Sequence, residues 1–273
     1  MPTIRSLTEH HSKDTILQAA SNFAILGTQR TGTTLIRTSL DSHPDVLCCG
    51  EVFLLGKRPY SKADGFWSYS RQSIGNRMQA VFSPEKATTH YLEQLYSSPG
   101  YAAIGFKLML GHCLKRPHIW TQLLDRNTRF ILVRRRNLLK TLVSRRSASE
   151  SGVYHISRTL NVKSAVDDWQ ARGVNLDPAT VIDDLDAIGR ENETWQARLS
   201  GNVSRIEVVY EDYTRDIGGE NERILDFLGV RRLPLTSDLE KVNPDDLGQS
   251  IKNLDEVASA LKNTRYEKFL QPQ

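Results

Sequence analysis

The sequence predicts an α/β fold: a three-layer sandwich in which a mainly parallel sheet is flanked by helices. Three observations carry that prediction. Short apolar-rich runs stand at Phe23–Leu26, Ala103–Leu108, Phe130–Val133 and Ile206–Tyr210, largely continuous, as strands buried on both faces are. Helical patterns separate them, the alternation that gives parallel strands with crossover helices. The first run passes through a glycine-bounded loop directly into a helix.

Composition sets the outer limits. The chain has 273 residues, 39% of them hydrophobic and 25% charged, which suits a globular protein with a large core. We read residues 1–273 as one domain, without repeats, linkers or low-complexity tracts. The net charge of +4 favours anionic ligands but lacks the concentrated basic surface of a nucleic-acid binder. The dense exception is Arg134-Arg135-Arg136 with Lys140, Arg145 and Arg146. Three cysteines, Cys48, Cys49 and Cys113, make no disulfide framework and no metal-ligand pattern. They are expected to be reduced, in a cytoplasmic protein. No apolar run is long enough to span a membrane, and Met1–Ser21 has none that would serve as a signal.

Along the chain, Phe23–Leu26 is the first strand and Thr33–Ser42 the first helix, stopped by His43-Pro44 because the residue before proline is pushed out of the α region. Gly27 to Thr34 between them has the glycine spacing of a P-loop, with Thr34 in the Ser/Thr position. Thr33 stands where that pattern has lysine. In triphosphatases the lysine reaches the β- and γ-phosphates, so this P-loop-like cradle suits a single phosphate or phosphosulfate better. Arg30 adds a fixed cation inside it. Val46–Cys49 reads as a short second strand that ends at Gly50-Glu51. Glu51 is the first candidate for a general base.

The longer stretch carries a resemblance. Gln29-Arg30-Thr31-Gly32-Thr33-Thr34-Leu35, continued through Asp41-Ser42-His43-Pro44-Asp45-Val46 to Cys49-Gly50-Glu51, resembles the 5′-phosphosulfate loop of sulfotransferases that use 3′-phosphoadenosine 5′-phosphosulfate (PAPS). It looks most like the tyrosylprotein and bacterial carbohydrate types, those acting on trehalose and nodulation factors. The resemblance implies that Arg30, Thr31, Gly32, Thr33 and Thr34 hold the 5′-phosphosulfate, and that Glu51 takes the proton of the acceptor hydroxyl.

The remaining elements are read against that. Leu54 to Pro99 has little strand character and interleaves Tyr60, Phe66, Trp67, Tyr69 and Phe82 with Lys57, Arg58 and Arg71. It is either an acceptor-side insertion or a set of helices with aromatics packed inward; Glu85–Tyr96 reads as a helix. The strand Ala103–Leu108 carries Lys107. That lysine either snorkels to solvent or, as the resemblance implies, stabilises charge on the departing phosphate. His112 is a second candidate base. After Phe130–Val133, Arg136 and Ser144 stand eight positions apart with Asn137 following the arginine, which resembles the family's 3′-phosphate site. Leu138 and Lys140 replace a frequent proline and aspartate there. Asp183, Asp184 and Asp186 read as a solvated helix face, and Asp167-Asp168-Trp169-Gln170 and Thr194-Trp195-Gln196 as amphipathic helices with packed aromatics. Ile206–Tyr210 and the Ile224–Gly229 helix are fold markers. The C-terminal stretches Gln249–Val257 and Thr264–Phe269 resemble the nodulation-factor type, which implies Lys252 as a donor contact.

The function expected is sulfuryl transfer from PAPS, without a metal, to a hydroxyl, most naturally on a carbohydrate or glycolipid; a tyrosine or small natural-product hydroxyl stays open, as does a homo-oligomer. A P-loop nucleotide kinase or hydrolase and a non-catalytic nucleotide-binding protein are the alternatives.

Overall fold

A computed structural model describes residues 20–54, 65–152, 156–157, 173–240 and 246–271. Its centre is a five-stranded sheet in which every pair is parallel. The strands are β1 (Ser21–Gly27), β2 (Val46–Cys49), β3 (Ala103–Met109), β4 (Arg129–Arg134) and β6 (Arg205–Val209), in the order β2-β3-β1-β4-β6. A separate antiparallel pair joins β5 (Ile156–Ser157) to β7 (Leu239–Glu240).

Alternation along the strands loads both faces of the sheet with apolar side chains. Ala24, Leu26, Ile104, Phe106, Leu108, Phe130 and Leu132 lie in one cluster. Phe23, Ile25, Ala103, Ile131 and Val133 lie in the other. On the first side α4 (Pro84–Tyr96), α6 (His118–Asp125) and the end of α8 (Val181–Arg198) cover the sheet. The second is covered by α1 (Thr33–Asp41) and α10 (Ile217–Leu228). These are the three expected layers. Gly105 permits the tightest contact in the sheet, since an added Cβ would stand 2.4 Å from the Phe23 ring in the neighbouring strand.

Between β2 and β3 the chain forms α2 (Phe66–Tyr69), α3 (Ile74–Phe82) and α4. Phe66 and Tyr69 pack with Tyr91 and Phe53 in the core, so for these two the inward-packing alternative is the correct one. Tyr60, Lys57 and Arg58 lie outside the described residues, as do Asp167 to Gln170. A third apolar cluster unites α7 (Leu138–Ser151), α8 and the C-terminal helix α12 (Leu254–Leu261). Here the aspartate reading needs correction. Asp183 and Asp184 are exposed in the first turn of α8, where carboxylates complement the helix dipole. Asp186 is half-buried and accepts hydrogen bonds from the Tyr266 hydroxyl and the Arg265 guanidinium. It fastens the C-terminal segment to α8; a sequence pattern cannot show a partner eighty positions away.

Candidate active site

The residues singled out in the sequence come together because the sheet is parallel. Every strand of it ends at the same edge, and ligands of open α/β sheets bind outside those carboxyl ends. The loop Thr28–Gly32 follows β1, Glu51 follows β2, and Lys107 and His112 lie near the end of β3 or just beyond it. Arg135–Asn137 follow β4, and α9 (Tyr210–Arg215) follows β6.

The loop is built for close approach. Arg30 has φ 68° and Gly32 φ 94°, left-handed values that the glycine accepts without strain. An added Cβ at Gly32 would stand 2.5 Å from the Tyr210 ring, and one at Gly27 would stand 2.7 Å from the Val133 carbonyl oxygen. The Thr31 hydroxyl donates to the Thr28 carbonyl at 2.8 Å and closes the turn. No side chain caps α1, and its first turn holds no acidic residue. The backbone N–H groups of that turn therefore point, with the helix dipole, toward an anion.

Across the loop stands a charged constellation. Lys107 is 8% exposed. Its Nζ lies 2.9 Å from Glu51 Oε1 and donates to Thr34 Oγ1 at 3.2 Å. It does not snorkel to solvent: it joins the base candidate to the phosphate loop. Its backbone N–H donates to the Gly50 carbonyl at 3.1 Å, which fixes Glu51 beside it. Burial pushes the Lys107 ammonium below the usual lysine range, against the Glu51 carboxylate, which pulls the other way.

His112, in the short helix α5 (Leu110–Lys115), is also buried. The Met109 N–H donates to its Nδ1 at 3.3 Å, so the neutral ring carries its proton on Nε2, which lies 3.7 Å from Glu51 Oε2. Burial holds the imidazole below its usual range. The unfolded chain then binds this proton more readily than the folded one. Stability falls as pH drops through the window between the lowered folded value and the ordinary value of about 6.5. His112→Gln should remove that contribution. The expected result is a smaller loss of denaturation midpoint between pH 8 and pH 5 than in the wild type; equal losses would show that His112 does not titrate this way.

The basic run divides its work. Arg30 Nε donates to Ser144 Oγ at 2.9 Å, so Ser144, 6% exposed, faces the phosphate loop. Arg136 is exposed, and its guanidinium donates to both carboxylate oxygens of Asp212, at 2.9 and 2.5 Å. The structure thus brings Ser144 to Arg30 and places Arg136 in an acidic clamp beside the edge. The Glu211 carboxylate accepts from the Arg136 and Asn137 backbone N–H groups. Arg135 stacks over the Tyr210 ring at 4.9 Å. Asn137 is fully buried; its Oδ1 caps α7 by accepting from the Lys140 N–H, while its Nδ2 donates to the Phe269 carbonyl. Arg145 donates to the Gln29 carbonyl and pairs with Glu191. Lys252 is exposed, and its backbone N–H donates to the Val174 carbonyl at 2.9 Å.

Tyr210, Glu211 and Asp212 are the residues that sequence reasoning undervalued. The strand that ends at Tyr210 reads from the sequence only as a fold marker, and Asp212 carries no reading there at all. The parallel register Arg134↔Val209 puts all three directly beside Arg135 and Arg136, and only the pairing of β4 with β6 reveals it.

This edge presents an uncapped phosphate loop to a buried lysine–glutamate pair. The chain belongs to the Sulfotransferase family, whose sequence model matches residues 22–234. None of the curated proteins matches it. Among solved structures it is similar to a sulfotransferase from Alicyclobacillus acidocaldarius, with 16% identity over 94% of this chain and 98% of that one and a TM-score of 0.48. It is similar to mouse sulfotransferase SULT7A1 complexed with PAP, with 12% identity over 92% and 87% and a TM-score of 0.46. The sulfotransferase domain of the curacin biosynthetic pathway is a third, with 14% identity over 80% and 77% and a TM-score of 0.46.

Proposed function

We propose that the protein transfers a sulfuryl group from PAPS to an acceptor hydroxyl, and that the acceptor is a carbohydrate or glycolipid. One observation carries the reading: Lys107 bridges Glu51 and the loop residue Thr34, so a base for the acceptor and a cation for the donor share one contact. Bound PAPS supplies the sulfuryl group, and adenosine 3′,5′-bisphosphate is released. The loop N–H groups from Thr31 to Thr34, with Arg30, hold the 5′-phosphosulfate. Glu51 removes the acceptor proton as the new oxygen–sulfur bond forms. Lys107 and Arg30 stabilise the charge left on the bridging oxygen as its bond to sulfur breaks. No metal is required for this, since fixed cations do the electrostatic work.

We assign the 3′-phosphate to Arg136 and Ser144, with Lys252 as a further donor contact. A phosphate dianion competes with the Asp212 carboxylate for the Arg136 fork, an exchange of one bidentate partner for another. The three cysteines are buried thiols, which supports a cytoplasmic location. Among the described residues no helix is long and apolar enough to cross a membrane.

The kinase or hydrolase reading is disfavoured by the Lys107 contact. In triphosphatases the hydroxyl at the Thr34 position holds Mg²⁺, and here it accepts a hydrogen bond from an ammonium. Calorimetry tests the proposal. Adenosine 3′,5′-bisphosphate should bind far more tightly than ATP or AMP, and Arg136→Ala should weaken it by about ten- to a hundred-fold, as loss of a charge-assisted fork does. ATP binding equal to that of the bisphosphate, and indifferent to Arg136, would overturn it.

A further inference from the structure

A cleft of about 350 Å³ has an unusual lining: Phe66, Trp67 and Val81 together with Arg71, Arg77 and Arg116. Two of its lining residues are tied by backbone hydrogen bonds to segments that flank the reacting edge. The Phe66 N–H donates to the carbonyl of Val52, the residue after Glu51, at 2.8 Å. The Arg116 N–H donates to the His112 carbonyl at 3.0 Å, so Arg116 stands one helical turn from the other candidate base. The Arg71 guanidinium lies 3.9 Å from the Trp67 ring centre and that of Arg116 lies 5.5 Å from the Phe66 ring centre. Both cations thus lie over aromatic rings.

Three arginines line this one cleft. Among the described residues no carboxylate lines the cleft, and those that pair with arginines elsewhere pair with others. Like charges at close range repel, and an anion bound between them would offset that repulsion. The cleft continues through Val81 onto an apolar stripe of α3, where Ile74, Met78, Val81 and Phe82 are 83, 52, 66 and 72% exposed. These positions share one face of the helix.

We infer that the cleft is an acceptor subsite for a negatively charged group, a phosphate or carboxylate, joined to an apolar or aromatic body. This rests on the sulfuryl-transfer reading and narrows it: the acceptor presents its hydroxyl to Glu51 and its anionic group to Arg71, Arg77 and Arg116. The arginines offer forked donors for the anion, and Trp67 and the α3 stripe take the apolar part.

Hexyl phosphate is the probe, titrated calorimetrically into the full chain with adenosine 3′,5′-bisphosphate saturating the donor loop. It should bind more tightly than inorganic phosphate and than hexanol. Arg71→Glu and Arg77→Glu, both on exposed positions, should each weaken it by about ten-fold and leave bisphosphate binding unchanged. Arg77→Lys should restore most of the affinity. Absence of binding to the wild type, or equal binding to both charge-reversal variants, overturns the subsite. Failure of the bisphosphate itself to bind overturns the sulfotransfer reading instead, so the two failures are separable.

Discussion

Glu51→Gln is expected to reduce turnover by about 10²- to 10⁴-fold, the usual contribution of a positioned general base, while adenosine 3′,5′-bisphosphate binds as in the wild type. The glutamine is isosteric. It keeps a contact to Lys107, 2.9 Å away in the native pair, but it cannot accept the acceptor proton. The loss belongs in kcat and not in KM, because the proton moves only as the transition state forms. His112→Gln is the companion measurement. Its Nε2 faces Glu51 Oε2 at 3.7 Å, so it orients the carboxylate and should cost much less than Glu51→Gln. A larger loss in His112→Gln than in Glu51→Gln would transfer the role of base to the histidine.

Lys107→Met is the second large effect, about 10²- to 10³-fold in kcat, the magnitude of removing one preorganised donor at a developing charge. The ammonium is nearly buried and donates to Thr34 of the phosphate loop. It therefore acts in a medium where a fixed charge counts for more than it does in water. Methionine matches the length of the stem and keeps its packing within β3. Lys107→Arg should recover part of the rate, because it restores the charge but not the geometry. Single-turnover rates read this directly. A Lys107→Met enzyme with wild-type rates would remove the lysine from the chemistry and leave it a structural partner of Glu51.

The same pair shows how far local sequence carries. Glu51 was recognisable from its place after Cys49-Gly50, and Lys107 from its oddness in an apolar strand. What the sequence could not decide was whether Lys107 reached solvent or a partner. That depended on β2 pairing with β3, which sets Cys49 opposite Phe106 and so brings Glu51 beside the lysine. Arg136 and Ser144 show the limit from another side. Their spacing suggests one shared phosphate site, and only the tertiary structure shows that Ser144 also meets Arg30 and Arg136 also meets Asp212. Spacing along a helix fixes which residues share a face, but it says nothing about what other elements bring to that face.

By itself, then, the sequence determined the class of fold, the phosphate loop and most of the strands. Those properties are local: continuous apolar runs, glycine at positions of close approach, and proline where a helix must end. Tertiary structure decided the company each charged residue keeps. The acidic clamp of Glu211 and Asp212, the anchoring of Tyr266 by Asp186, and the arginine-lined cleft all join elements distant in the chain. Electrostatic interactions depend on distance through space and on burial, and neither is written in the order of residues until the strands have paired.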